Sequence, residues 1–282
     1  MSRIVYVNGE YLPEEEAKLS VFDRGFLFAD AVYEVSSIID GRLIDNQQHL
    51  LRLKRSLDEL NMAEPCPMEE IERIQHEVVK RNAVSEGMLY LQVTRGAADR
   101  DFNFPADARP SLVMFTQAKK VAENPAAERG LSVITLPDLR WHRRDIKTVQ
   151  LLYPSMCKEE ARARGADDAW LVEDGQVTEG TSNNAWIVLH DGTLVTRQLS
   201  TDILHGITRR AVLRFARERQ IRVEERPFTV EEAQGAREAF ITSASAFVTP
   251  VVSIDGKPVG DGRPGDTARG LRGIYLEEAG KL

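Results

Sequence analysis

Residues 169–189 read AWLVEDGQVTEGTSNNAWIVL. An apolar run, Ala169–Glu173, meets Asp174-Gly175. A second run ends at Glu179 with Gly180 beyond it, a polar loop follows, and a third run covers Ala185–Leu189. An Asp-Gly pair between apolar or β-branched runs marks a tight hairpin, because its two residues accept the positive φ that such turns need. The stretch therefore reads as antiparallel strands. The same signal recurs at Asn8-Gly9, Asp40-Gly41, Asp191-Gly192 and Asp255-Gly256. Further strands are predicted at Ile4–Val7, Val35–Ile39, Leu89–Arg95, Leu112–Thr116, Leu131–Leu136 and Phe240–Thr242.

Helical spacing interrupts these runs. Leu50, Leu53, Leu57 and Leu60 share one face, and Asp45 with Gln48 offers a capping box before them. Ile71, Ile74 and Val78 mark a second helix, Ser155–Arg164 a third, and Ile207, Ala211 and Phe215 a fourth. Thr229 with Glu232 caps a short one through Ala233 and Ala236. Hairpin-joined strands with helices between them, but without regular strand–helix alternation, give an α+β fold rather than a doubly wound sheet. The polar, proline-containing stretch 119–130 is the expected linker between a small N-terminal domain, 1–118, and a larger C-terminal domain, 131–282. A cofactor cleft between two such domains is a natural arrangement.

The chain has 282 residues, 42% hydrophobic and 29% charged, with net charge −7. Such a balance favours neither nucleic acid nor an anionic membrane as partner. No apolar run is long enough to cross a bilayer, and MSRIVYVNGEYL lacks a signal-peptide core. Two cysteines, Cys66 and Cys157, fit a reducing, cytoplasmic setting and no disulfide scaffold. His49, His76, His142, His190 and His205 lack metal-ligand spacing, so no metal is expected. Asp167 and Asp168 read as solvated rather than as a catalytic pair.

Four segments carry chemistry. Arg140–Lys147, RWHRRDIK, is a charge run that reads either as a solvated face or as the approach to an inward-pointing Lys147, since the apolar TVQLLY follows it. An inward ammonium needs a partner, and a Schiff base with a carbonyl cofactor supplies one. Val177–Trp186, VTEGTSNNAW, reads as a polar loop or as a carboxylate, Glu179, aimed at a ring nitrogen with Ser182 and Asn183 beside it. His205–Arg209, HGITR, opens a helix whose free N–H groups and threonine suit an anion. Thr242–Pro250, TSASAFVTP, sets small hydroxyl residues after a strand. Lysine, acid, anion cup and small polar loop together are what a pyridoxal 5'-phosphate site requires.

At this point the sequence resembles the fold-type IV pyridoxal-phosphate enzymes, the class IV aminotransferases, and among them those acting on D-amino acids. The resemblance lies in FDRGFLFADAVYE, HLLRLKRSL, YLQVTRG, RWHRRDIKTVQLLYP, VTEGTSNNAW, ILHGITR and TSASAFVTPV, in order along nearly the whole chain. It implies that Lys147 carries pyridoxal 5'-phosphate and that Glu179 holds its protonated ring nitrogen. Arg52 would grip the phosphate, with Ser182, Asn183, Leu204, Ile207, Thr208, Ser243, Ala244 and Ser245 completing the cofactor site. Tyr33 would line the substrate pocket, and Arg140, also substrate-binding, would sit near Lys147 and Tyr33. It further implies amino acids and 2-oxo acids as substrates and a homodimer in which the small domain completes the partner's site. D-amino acid members carry a carboxylate-trapping loop with an arginine and, two residues on, a histidine. Here Arg100 matches the arginine and Phe102 stands in the histidine's place, so the trap departs from the pattern. Aminodeoxychorismate lyases, branched-chain (L) aminotransferases and (R)-selective amine transaminases share the fold and are the alternatives.

Overall fold

The computed structural model describes residues 2–281. The chain divides into two compact units. One runs from the N-terminal end to Val121 and takes in Ile146–Gln150; the other comprises Ala122–Asp145 and Leu151–Lys281.

The first unit contains β1 (Ile4–Val7), β2 (Glu10–Pro13), α1 (Arg24–Phe28), β3 (Ala31–Ile39), β4 (Arg42–Leu43), α2 (Asn46–Glu59), α3 (Met68–Arg81), β5 (Gly87–Thr94) and β6 (Ser111–Ala118). Its strands form one sheet, ordered β2-β1-β6-β5-β3-β4, with every pairing antiparallel. The hairpin turns hold Asn8 and Gly9 at φ 48° and 107°, and Asp40 and Gly41 at 52° and 74°, as tight hairpins require. The apolar seams expected for α2 and α3 are buried: Leu50, Leu53 and Leu57 on one, Ile71, Ile74 and Val78 on the other.

The capping box at Asp45 does not form. Asp45 is left-handed, φ 53°, and makes no side-chain cap bond; a capping carboxylate needs an extended backbone to swing over the first turn. Thr229 has that extended backbone and does accept from the Glu232 N–H at 3.1 Å.

The second unit contains α4 (Pro125–Arg129), β7 (Leu131–Pro137), α5 (Leu152–Ala163), β8 (Asp168–Glu173), β9 (Gln176–Gly180), β10 (Asn184–Val188), β11 (Leu194–Thr196), α6 (Ile207–Glu218), β12 (Val223–Glu225), α7 (Val230–Gln234), β13 (Glu238–Ser243), β14 (Phe247–Ile254), β15 (Lys257–Pro258) and α8 (Asp266–Lys281). The sheet order is β12-β11-β10-β13-β14-β7-β8-β9, with β15 on β14. It is mixed: β11/β12, β14/β7 and β7/β8 run parallel. Its core gathers Trp170, Val177, Ile187, Val195, Phe228 and Ile241.

The stretch 119–130 is more than a connector. Within it Asn124 caps α4, accepting from the Ala126 N–H at 3.0 Å, and Pro125 takes the first helical position. Among the described residues no helix is long and apolar enough to cross a membrane.

Candidate active site

In the first unit, successive side chains of β3 face opposite ways. Glu34 faces the buried side, where Arg52 and His49 of α2 lie one turn apart. Arg52 donates from Nε to Glu34 Oε1 at 2.8 Å and from Nη2 to Oε2 at 2.7 Å, and His49 Nδ1 lies 2.7 Å from Oε2. Burial pushes the Glu34 carboxyl up, but the Arg52 charge and hydrogen bonds, helped by His49, outweigh it and bring it down to about 2. The Arg52 guanidinium is thus oriented along one edge by Glu34.

Lys147 belongs with this unit, not with the C-terminal region in which the sequence placed it. The reason is backbone pairing with β3. Tyr33 N–H donates to Lys147 O at 3.0 Å, Val149 N–H donates to Ala31 O at 3.1 Å, and Thr148 bridges Val32. Lys147 Nζ lies 4.1 Å from the centroid of the Tyr33 ring. Among the described residues it has no carboxylate at ion-pair distance, in contrast to the arginines just before it.

Those arginines are already paired in the second unit. Arg144 is buried and pairs with Glu173 at 2.9 Å and Asp138 at 3.3 Å, while Arg143 pairs with Asp145 at 3.0 Å. Arg140, expected to bind substrate, instead lies between two carboxylates. Nε and Nη2 donate to Asp138 at 2.9 and 2.7 Å, and Nη1 donates to Glu179 Oε1 at 2.7 Å. The solvated-face reading therefore fails for Arg140 and Arg144. Glu179, at the end of β9, also accepts from Asn184 Nδ2 at 2.9 Å and from the Leu204 N–H at 3.1 Å. Burial holds its carboxyl above the usual range in spite of Arg140.

Asn183 turns inward to shape the loop. Its Nδ2 donates to Asp168 at 2.8 Å, and Thr181 Oγ1 donates to the same carboxylate at 2.6 Å. Asp168 is buried, not solvated, for this reason. Ser182 is exposed. At the start of α6, Gly206 is the cap and no side chain satisfies the first turn. Thr208 Oγ1 is buried with no hydrogen-bond partner. A Cβ on Gly206 would come within 2.0 Å of Asn184 Oδ1, so a side chain there would displace Asn184, which holds Glu179. Ser243 accepts from the Ala246 N–H at 3.2 Å, and half-buried Ala244 and Ser245 complete the turn between β13 and β14.

Arg100 and Phe102 lie in the exposed loop after β5. Phe102 is 80% exposed. The Arg100 guanidinium sits over the Phe28 and Phe102 rings, at 5.3 and 5.7 Å.

Sequence reasoning missed Glu34 and Asp138, which hold Arg52 and Arg140, and read as solvated Asp168, which holds Thr181 and Asn183. Glu34 did carry a signal: it is an acid in register with Val32, Ser36 and Ile38, on the face of β3 that must be buried.

Residues 31–254 match the family model for class IV amino-transferases, and the chain belongs to that family. Among its relatives, a D-alanine aminotransferase of Staphylococcus aureus is 36% identical over 95% of each chain. One of Bacillus licheniformis is 38% identical over 95% of this chain and 94% of the relative. Among solved structures, a branched-chain amino acid aminotransferase of T.th. with pyridoxamine 5'-phosphate aligns at TM-score 0.91 and 29% identity, over 99% of this chain and 94% of that one. The chain is a pyridoxal-phosphate-dependent aminotransferase with a two-domain α+β fold of type IV. Each unit holds donors of the kind that cofactor takes: in the first, a lysine without a carboxylate partner among the described residues; in the second, a buried carboxylate and a helix start with an orphaned threonine hydroxyl.

Proposed function

We propose that the chain transaminates D-amino acids, converting D-alanine and 2-oxoglutarate to pyruvate and D-glutamate. The observation that carries this reading is Arg100. Among the described residues its guanidinium has aromatic rings around it and no carboxylate, whereas Arg24, Arg95, Arg140, Arg143 and Arg144 each have one. A planar, unclaimed fork on a loop suits a substrate α-carboxylate. The names carried by relatives at 36–38% identity support the same substrate class.

Pyridoxal phosphate, when bound, supplies the electron sink that lets a substrate α-proton leave. In this reading Lys147 Nζ holds the cofactor and carries that proton, with the Tyr33 ring beneath it. Glu179, oriented by Asn184 and the Leu204 N–H, presents its carboxylate to the cationic ring nitrogen. The phosphate falls to Arg52, the Ile207 and Thr208 N–H groups, the Thr208 hydroxyl and the Ser243–Ser245 turn. Arg100 fixes the α-carboxylate, and placing it also selects the enantiomer whose α-hydrogen Lys147 can reach. Phe102 donates no hydrogen bond and acts as an apolar wall beside Arg100. A cytoplasmic homodimer completes the proposal.

A second reading is a branched-chain L-aminotransferase, favoured by the overlay on the T.th. enzyme. A substrate panel separates the two. D-alanine with 2-oxoglutarate should give D-glutamate, L-leucine should give little, and aminodeoxychorismate should give no 4-aminobenzoate. Faster turnover of L-leucine than of D-alanine would replace the first reading with the second. Covalent labelling by borohydride should fall on Lys147 and vanish in Lys147→Ala.

A further inference from the structure

Arg24 opens α1 and is only 3% exposed, yet it reaches the loop that carries Arg100. Its Nη1 donates to the Asp101 carbonyl at 2.7 Å and, at longer range, to the Asn103 carbonyl at 3.4 Å. These are the two carbonyls flanking Phe102. Its Nε donates to Asp30 Oδ2 at 2.8 Å, which fixes the guanidinium from behind. Its guanidinium carbon lies 4.5 Å from the Phe28 ring centroid. Arg100 sits 5.3 Å from the same ring, and Phe102 packs edge-on against it at 5.6 Å. On the far side Arg95 donates to Asp30 Oδ2 at 2.8 Å and covers Phe104 at 3.7 Å. The backbone adds to the tether: Arg24 N–H donates to Gly96 O at 2.9 Å and Asp23 bridges Ala97.

Within the loop, Asp101 Oδ1 accepts from the Asn103 N–H at 2.8 Å and from Asn103 Nδ2 at 3.1 Å, a turn that does not by itself anchor the loop to the sheet. Arg100, Phe102 and Phe104 are all exposed, and exposed loops of this kind are ordinarily mobile. A mobile arginine binds a carboxylate weakly, because binding also costs the entropy of ordering the side chain and its loop. A buried guanidinium that grips two carbonyls removes that cost beforehand. The planar fork matters: it donates in two directions while stacking on a ring, which a lysine ammonium does not reproduce.

We infer that Arg24 is the positioning residue of the carboxylate-recognition loop, tying the Asp101 and Asn103 carbonyls to the α1–β3 corner and sharing Phe28 with Arg100 so that the Arg100 fork is held ready for substrate. The inference rests on the assignment of Arg100 to the substrate carboxylate, and the test keeps the two apart. Arg24→Lys, Phe28→Leu and Arg100→Ala are prepared as holoenzymes, together with the Arg24→Lys/Arg100→Ala double variant. KM and kcat for D-alanine are measured, with amide hydrogen exchange across residues 98–103 in the substrate-free enzyme. Arg24→Lys should raise KM about tenfold, the scale of one charge-assisted hydrogen bond, with kcat within about twofold. The loop amides should exchange faster. In the Arg100→Ala background the same substitution should change KM less than about twofold, because a residue that acts through Arg100 has nothing left to act on. An equal effect in both backgrounds, a fall in kcat with KM unmoved, or unchanged exchange overturns the inference. Unchanged KM in Arg100→Ala overturns the carboxylate assignment and this inference with it. If Arg24→Lys yields no folded protein, Phe28→Leu, which keeps the hydrogen bonds of Arg24 and removes the shared ring, decides by the same comparisons in single and double variants.

Discussion

Two buried glutamates, each 2.7 Å from an arginine nitrogen, end in opposite electrostatic states. Glu34 on β3 is driven down to about 2, and Glu179 on β9 is held above the usual carboxylate range. Both are pushed up by burial. What differs is how the arginine is shared. Arg52 gives Glu34 two parallel hydrogen bonds, and His49 adds a third contact. Arg140 gives Glu179 one N–H and directs two to Asp138, whose own charge pushes Glu179 further up; Asn184 and Leu204 add only neutral donors. Glu34 is thus a fully compensated anchor. Glu179 is an acid whose arginine is shared with Asp138, and the pairing with a protonated ring nitrogen proposed above would add the cationic compensation that Glu34 already has.

The largest expected effect is on the compensated side. Glu34→Gln leaves the Arg52 guanidinium buried without its counter-charge, a loss of about 3–5 kcal/mol. Denaturant unfolding of the apoenzyme should show it, and a loss below about 1 kcal/mol, the scale of a surface pair, would end the comparison at its first term. The pH dependence follows from the depressed carboxyl. Stability contributed by Glu34 is complete above its unfolded pKa, near 4.5, and drains away as pH falls toward about 2. Glu34→Gln should flatten that acid limb.

On the other side the signs reverse. Glu179→Gln should keep the fold and the cofactor but slow turnover by about 10²–10³, the usual cost of one preorganised electrostatic partner. Because the folded Glu179 carboxyl is raised, its favourable share of stability is present below the unfolded pKa and is lost as pH rises through the folded value. Above the unfolded range the raised carboxyl therefore costs the apoenzyme stability, and Glu179→Gln should melt higher than wild type while working worse. An apoenzyme that melts lower at neutral pH would show that Glu179 is an anchor like Glu34.

Local chemistry made much of this molecule legible in the sequence. The Asn-Gly and Asp-Gly turns announce hairpins because their φ requirement is written in two residues. The leucine seam of α2 needs only its own spacing. Long-range pairing was not legible. Nothing in RWHRRDIKTV says that Lys147 will hydrogen-bond beside Tyr33 and leave the unit of its neighbours. Helix α8 was hidden by Gly270, Gly273 and Gly280, and forms because Ala268, Leu271, Tyr275 and Ala279 are buried, with Tyr275 stacked on Phe247 at 4.9 Å. Lys147, Glu179 and the start of α6 stood out as residue types. The carboxylates that set their surroundings did not, because Asp138 and Asp168 look like any other acid until folding buries them.

The finest test of the comparison is Asp138→Asn. The substitution keeps a side chain of the same shape against Thr178, which donates to Asp138 at 2.6 Å, and removes the charge that divides Arg140. Two consequences compete. Without the neighbouring anion, and with Arg140 left to one carboxylate, Glu179 should ionise more readily, and the acid limb of the kcat profile should move to lower pH by up to about one unit. Against this, Asp138 also orients Arg140 through two hydrogen bonds and pairs with Arg144 at 3.3 Å. If orientation outweighs charge, Arg140 drifts from Glu179 and the limb moves to higher pH. The first outcome is expected, because an asparagine can still accept from Arg140 through its amide oxygen while the Arg140–Glu179 contact at 2.7 Å no longer competes with a second anion. A limb displaced upward would mean that Asp138 serves Glu179 by holding Arg140 in place, and the two glutamates would then differ in how well their arginines are held rather than in how they are shared.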